Sequence, residues 1–242
     1  MKFNTQVRTL RATLLVASVL FAAYFSTLAQ SNNTTVTYLQ AGKPDAIVLL
    51  APPPLPDSPE QAAEMDEVRA VYHAASSNDM AIAYSEKKFS IFTFAPAIGD
   101  FFQPGKFPKA EAFFERVQKQ AEIVTDGAKN YFKRPRPFTT DPSLANGKLE
   151  KSFSYPSGHS TESMVLGLVL ADLFPDRHEA ILAKARSIGW HRVEIARHYL
   201  TDIYAGRVLA QAIVREMKVN PDFQKDFAEA QAEIATSQSI KN

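Results

Sequence analysis

"SYPSGHSTESMVLGLVL", Ser154–Leu170, begins as a turn and ends as the inside of a helix. From Ser160 onward the residues are helix formers with almost no charge, which predicts a helix over Ser160–Leu173 buried in a core. Ahead of it stand Pro156, Ser157, Gly158 and His159: a rigid turn, a hydroxyl, a bare backbone and an imidazole. Serine before an apolar run is a good N-cap, and glycine permits close approach. The first turn of a helix also carries unpaired N–H groups and the positive end of the dipole, a natural seat for an anion. A capped helix with an incidental histidine is the plain alternative.

Working outward, the same periodicity recurs. Pro108–Phe132 places Phe113, Phe114, Val117, Ala121, Val124 and Ala128 on one stripe and ends at "KRPRPF", where Pro135 and Pro137 disfavour helix. Further helices are expected from Ser58 and over His178–Ala196, Thr201–Lys218 and Pro221–Ala235, with Pro175 as a separator. Sustained strand-like alternation, repeats, heptads and a glycine-rich phosphate loop are all absent from the sequence. The expectation is an all-α, single-domain helical bundle over residues 58–242. Residues 30–57 form a polar, proline-rich lead, extended where "LLAPPPLPDSPEQ" excludes helix and central strand.

The first 29 residues read differently. Lys2, Arg8 and Arg11 precede 14 mainly apolar residues and then a small-residue stretch, the order of a secretory signal, with cleavage expected after Ala29. The apolar run is short of the roughly 20 residues a bilayer span requires. The expected location is therefore periplasmic or secreted, with no membrane span in the mature chain. Of 242 residues, 27 are Lys or Arg and 26 Asp or Glu. Removing the leader takes three cations and no acid, so the remaining charge is slightly negative and argues against nucleic acid as the main partner. With no cysteine, disulfides and thiolate metal sites are excluded. The sequence leaves room for a homo-oligomer.

Two more clusters could carry chemistry. In "KNYFKRPRP", Lys129 closes a helix while Arg136 lies between two prolines, so its guanidinium is fixed as bidentate phosphate recognition requires. A solvated basic face is the alternative. In "GWHRVEIARHYLTDIYAGR", Asp202 falls in the first turn of a helix, where it could fix the tautomer of His198 and leave the other ring nitrogen as a nucleophile. Arg192, six residues before His198, shares that site only if the chain turns between them. A structural His–Asp pair competes with this reading. A metal site is disfavoured, because there is no His-Glu-x-x-His and no dense carboxylate cluster.

In order and spacing, Lys129-x6-Arg136-Pro137, Pro156-Ser157-Gly158-His159 and Arg192-x5-His198-x3-Asp202 resemble the three-part signature of the phosphatidic acid phosphatase type 2/vanadium haloperoxidase superfamily. The "LLAPPPLP", "YPSGHS" and "NPDFQKDFAEAQAE" contexts look most like its secreted bacterial branch, the class A non-specific acid phosphatases, over roughly Tyr38 to Ala235. The resemblance implies an all-α bundle with a phosphate site at helix ends, acting on small phosphate monoesters without metal or cofactor. It implies that His198 attacks phosphorus, Asp202 orients its ring, and His159 serves as general acid and then base. Lys129, Arg136, Arg192, the Ser157 hydroxyl and the Gly158 N–H would hold the phosphate oxygens. One position departs: His191 stands where the family usually has serine, so that contact is either replaced by an imidazole N–H or lost. A lipid phosphate phosphatase or a vanadium-dependent haloperoxidase of the same superfamily, and a catalytically silent phosphate-binding protein, remain as alternatives.

Overall fold

The structure, a computed structural model, describes residues 37–239. The expected leader and its cleavage point lie outside them, as does the start of the proline-rich lead. Among the described residues every regular element is helical. The ten α-helices are α1 (Ala46–Leu49), α2 (Pro59–Ala74), α3 (Ser77–Ser85), α4 (Ala95–Ile98), α5 (Pro108–Phe132), α6 (Pro137–Thr140), α7 (Gly158–Leu173), α8 (His178–Glu194), α9 (Leu200–Lys218) and α10 (Pro221–Ser239). Three short 3-10 turns lie at Ile91–Phe94, Pro142–Leu144 and Pro175–Arg177.

Helix α7 is the axis of the fold, packed by α8, α9 and α5. Its apolar residues from Met164 to Ala171 are mostly buried, as a helix without a polar face must be. Its buried hydroxyls are satisfied by carbonyls: Ser160 donates to Ile203 O at 2.8 Å, Thr161 to Ser157 O at 2.9 Å and Ser163 to Ala185 O at 3.0 Å. The crossing with α9 is close because Gly206 has no side chain; a Cβ there would sit 2.9 Å from the Ser157 carbonyl oxygen. That contact fixes where the α7 N-terminus meets α9.

The α5 stripe packs as its spacing predicts, with Phe113, Phe114, Val117, Ala121 and Ala128 buried. Helix α10 covers the outer side of α5, where Phe223 meets Phe113 edge-on at 5.2 Å between centroids. Tyr38 is tied in by its hydroxyl, which donates to Asp226 at 2.6 Å. The proline-rich lead has no regular structure over Ala51–Leu55 but is preceded by α1, capped by Asp45, a helical turn the extended reading did not contain. Its Ala51 carbonyl accepts from the Tyr155 hydroxyl at 2.5 Å, holding the lead near the α7 entrance. A second core of Met65, Val68, Phe138, Leu144, Val193, Ala196, Tyr199 and Ile203 ties α2 to the α8–α9 junction.

Candidate active site

The three sequence clusters arrive at one place from different elements. Lys129 is on the last turn of α5, which stops at Lys133 in the left-handed region (φ 51°). The prolines flanking Arg136 hold its backbone extended, at φ −79° and ψ 157°. Ser157 caps α7, accepting from Ser160 N at 3.3 Å, so the helix begins at Gly158, two residues earlier than expected. The turn required between Arg192 and His198 is present. Helix α8 ends at Glu194, Ala196 takes φ +52°, and Arg197 N donates to Arg192 O at 2.8 Å. An alanine in that region costs about 1 kcal/mol, a small strain retained where a sharp reversal is needed.

His198 lies in the reversal, 2% exposed. Its Nδ1 is 3.1 Å from Asp202 Oδ2 and its Nε2 is 3.1 Å from Arg136 Nη1. An arginine can only donate, so Nε2 presents its lone pair and Nδ1 carries the proton toward Asp202; the network assigns this tautomer. Asp202 is itself immobilised. Arg134 Nη1 donates to Oδ1 at 2.8 Å, while Tyr199 N donates to Oδ2 at 3.0 Å and the Ser154 hydroxyl to the same oxygen. Asp202 thereby also caps α9 from within, accepting from the N–H of the N-cap residue Tyr199. Arg134 is held in turn by Glu64 and Gln61 of α2 and lies 3.8 Å from the centre of the Tyr199 ring. Ser154, Arg134 and Glu64 were not identified from sequence. Ser154 and Arg134 stand inside the motifs already noted, but Glu64 comes from a remote helix.

Around Nε2 the site is strongly cationic. Arg136 also donates to Ser152 O at 2.8 Å and Arg197 O at 2.9 Å, and Lys129 Nζ to Phe153 O at 2.8 Å. Arg192 meets Glu150 at 2.6 Å, and the same carboxylate lies 2.8 Å from Arg197 Nε. Burial, then the neighbouring Arg136, pulls the Lys129 ammonium down to about 8. Burial likewise lowers Arg192 to about 10 and pushes the His198 imidazolium well below its ordinary range, with Arg136, Lys129 and Arg192 acting in the same direction. Concentrated positive charge with little compensating acid favours an anion. Among the described residues no three His, Asp or Glu side chains gather as a metal-binding group.

His159, in the first turn of α7, is lowered to about 3 by burial and then by Arg192; the backbone carbonyls of Lys87 and Glu86 oppose this. Its Nε2 is buried with no partner among the described residues, and Phe89 lies against the ring with centroids 5.5 Å apart. An unpartnered buried nitrogen is costly unless a ligand completes it. His191 is accounted for differently: its Nδ1 is 2.6 Å from Glu86 Oε2, a carboxylate that also takes Lys184 at 2.6 Å.

Known proteins similar to this chain include several named as phosphatases. A family model described as the PAP2 superfamily matches residues 120–224, which include all three motifs. An acid phosphatase of Zymomonas mobilis is 29% identical over 199 residues, covering 78% of this chain and 75% of that protein. Non-specific acid phosphatases of Providencia stuartii and Salmonella typhi are 32% and 31% identical. Those two alignments span only 50% and 59% of the relatives' own length. A crystal structure of a transmembrane PAP2-type phosphatidylglycerolphosphate phosphatase from Bacillus subtilis superposes with a TM-score of 0.50 at 17% identity, over 72% of this chain and 89% of that one, a likeness of fold. In contrast to that protein's description, no helix among the described residues here is long and apolar enough to cross a membrane. Over residues 120–224 the chain is similar to the PAP2 superfamily, and over a longer stretch to bacterial acid phosphatases.

Proposed function

We propose that the chain is a secreted, metal-independent acid phosphatase that hydrolyses phosphate monoesters through a phosphohistidine on His198. One observation carries the reading: the His198 Nε2 lone pair faces a buried guanidinium while its Nδ1 proton is held by an immobilised carboxylate. The guanidinium marks where a phosphate oxygen would lie, and the nitrogen lone pair is then directed at phosphorus. The names of the acid phosphatase relatives support the reaction class.

Phosphoryl transfer asks mainly for positioning and for positive charge on the equatorial oxygens. Lys129, Arg136 and Arg192, with the Ser157 hydroxyl and the Gly158 N–H at the α7 N-terminus, supply both. His198 Nε2 forms a bond to phosphorus as the ester P–O bond breaks, and the leaving oxygen takes a proton from His159. Water then attacks the phosphohistidine and gives a proton to His159. The N–P bond breaks, returning phosphate and both imidazoles. In the free site burial, and then Arg192, keeps His159 neutral, so its proton arrives with the substrate: a bound anion beside the buried ring favours the charged imidazolium and offsets Arg192 and Lys129.

The test is purified residues 30–242 with an aryl phosphate. Turnover that is unchanged by EDTA, inhibited by vanadate and lost in a folded His198→Ala variant is expected. Loss on chelation with recovery on adding a divalent metal would overturn the metal-free reading, and substantial turnover by His198→Ala would remove the nucleophile.

A further inference from the structure

A site assembled to hold an anion contains one carboxyl that it does not need. Glu162 follows Gly158 by four residues on α7, so the two share a face of the helix. Its Oε1 lies 3.3 Å from the point a Cβ on Gly158 would occupy, and Lys129 Cε lies 3.9 Å from the same point. The carboxyl therefore overhangs the first turn of α7, where the phosphate seat has its amide hydrogens and its lysine. It also lines, with His159 and Phe89, a cavity of about 390 Å³. Asp202 is paired with Arg134 and has three further hydrogen-bond contacts. Glu162, among the described residues, has a single hydrogen bond, from Gln118 Nε2 to Oε2 at 3.0 Å.

We propose that Glu162 is a proton-dependent gate on the phosphate seat, admitting phosphate as a neutral carboxyl and repelling it as a carboxylate. The inference rests on the seat assigned above. Burial pushes Glu162 up to about 7, opposed by the Gln118 hydrogen bond, reinforced by Glu122 and Asp126, and opposed again by Lys129. From α5 the charged neighbours are Glu115, Lys119, Glu122, Asp126 and Lys129, and from the segment after α3 Lys87 and Lys88; from α7 the titratable neighbour is His159, neutral in the free site. Lys119 is already paired with Glu122 at 2.7 Å, so it does little to relieve Glu162. The carboxyl is neutral in acid and becomes an anion beside an anion seat as the pH passes neutrality. Acid preference would then be built into binding as well as into the histidines.

If phosphate binds only the neutral form, its apparent Kd rises about tenfold between pH 5 and pH 8 from this group alone. The experiment is calorimetric titration of inorganic phosphate into the wild type and Glu162→Gln from pH 5 to 8. Both are first shown to be folded by circular dichroism. Titration of phosphate itself, of Lys129 and of His159 is common to both, so the wild-type to variant Kd ratio isolates Glu162. That ratio should be near one at pH 5 and rise to about tenfold at pH 8. A flat or falling ratio, or no phosphate binding by either protein at pH 5, would overturn the proposal. Gln118→Leu removes the donor that favours the carboxylate and should move the loss of affinity to higher pH; an unmoved midpoint would equally overturn it, and this variant serves if Glu162→Gln does not fold. Inorganic phosphate needs no turnover, so the gate can be judged even if the proposed hydrolysis fails.

Discussion

Asp202→Asn exchanges one atom at the centre of the site, and the structure dictates its effect. Asp202 has no exposed surface and accepts from four donors: Arg134 and, on Oδ2, Ser154, Tyr199 N and His198 Nδ1. An amide has one accepting end. If its NH2 takes the Oδ2 position, it faces the Tyr199 N–H, which cannot change role, and the His198 Nδ1–H, which can. The imidazole escapes by moving its proton to Nε2, the nitrogen proposed to attack phosphorus. If the NH2 takes the Oδ1 position, it faces the Arg134 guanidinium. The first arrangement is the less costly, and it leaves the wrong tautomer. Loss of tautomer control by a carboxylate is worth about 10³–10⁴-fold in kcat, or roughly 4–5.5 kcal/mol of barrier. Stability should fall by less than the ~3–5 kcal/mol of a broken buried ion pair, because Glu64 still holds Arg134. Steady-state kinetics with an aryl phosphate measure the first effect and denaturant unfolding the second. Adding His198→Ala should make the loss little worse than His198→Ala alone, since the two act as a unit. A folded Asp202→Asn variant with kcat within tenfold of wild type would refute the tautomer argument.

Two further outcomes follow from the cationic site. Lys129 has its ammonium lowered to about 8, so the charged form is penalised in the folded state and stability is gained as the pH rises from about 8 toward the ordinary lysine value. Lys129→Met should therefore stabilise the fold at pH 6 by about 1–3 kcal/mol, read as a raised melting temperature, while lowering kcat/KM at least a hundredfold; a lower melting temperature would contradict this. His159 is neutral in the free site, so phosphate binding at pH 5–6 should take up a proton. The binding enthalpy should then vary with the ionisation enthalpy of the buffer, and the proton uptake that this reports should be smaller in His159→Ala by the share His159 takes.

Much of the candidate site was legible because its residues are chemically conspicuous: a guanidinium between prolines, an imidazole at a helix entrance, a His–Asp pair across a turn. Most helix limits were legible for the same reason, since Pro108, Pro135, Pro175 and Pro221 punctuate the chain. What supports those residues was not. Glu64 and Glu150 are ordinary surface-type acids in sequence, and only packing brings them to Arg134 and to Arg192 and Arg197. Helix α3 was missed because nine residues show too little periodicity; the reciprocal Ser76–Asp79 cap that starts it is its main local signature. Glu162 is in sequence one acid in a buried helix, and only the fold sets its carboxyl beside Gly158.

The central claim is that phosphorus passes through His198 Nε2. Brief exposure of the wild type to a ³²P-labelled monoester, denaturation in base and peptide mapping test it directly. The account predicts label on the peptide carrying His198, stable to base, lost in mild acid and absent in His198→Ala. Label that survives acid, or that maps to a serine or to His159, would contradict it.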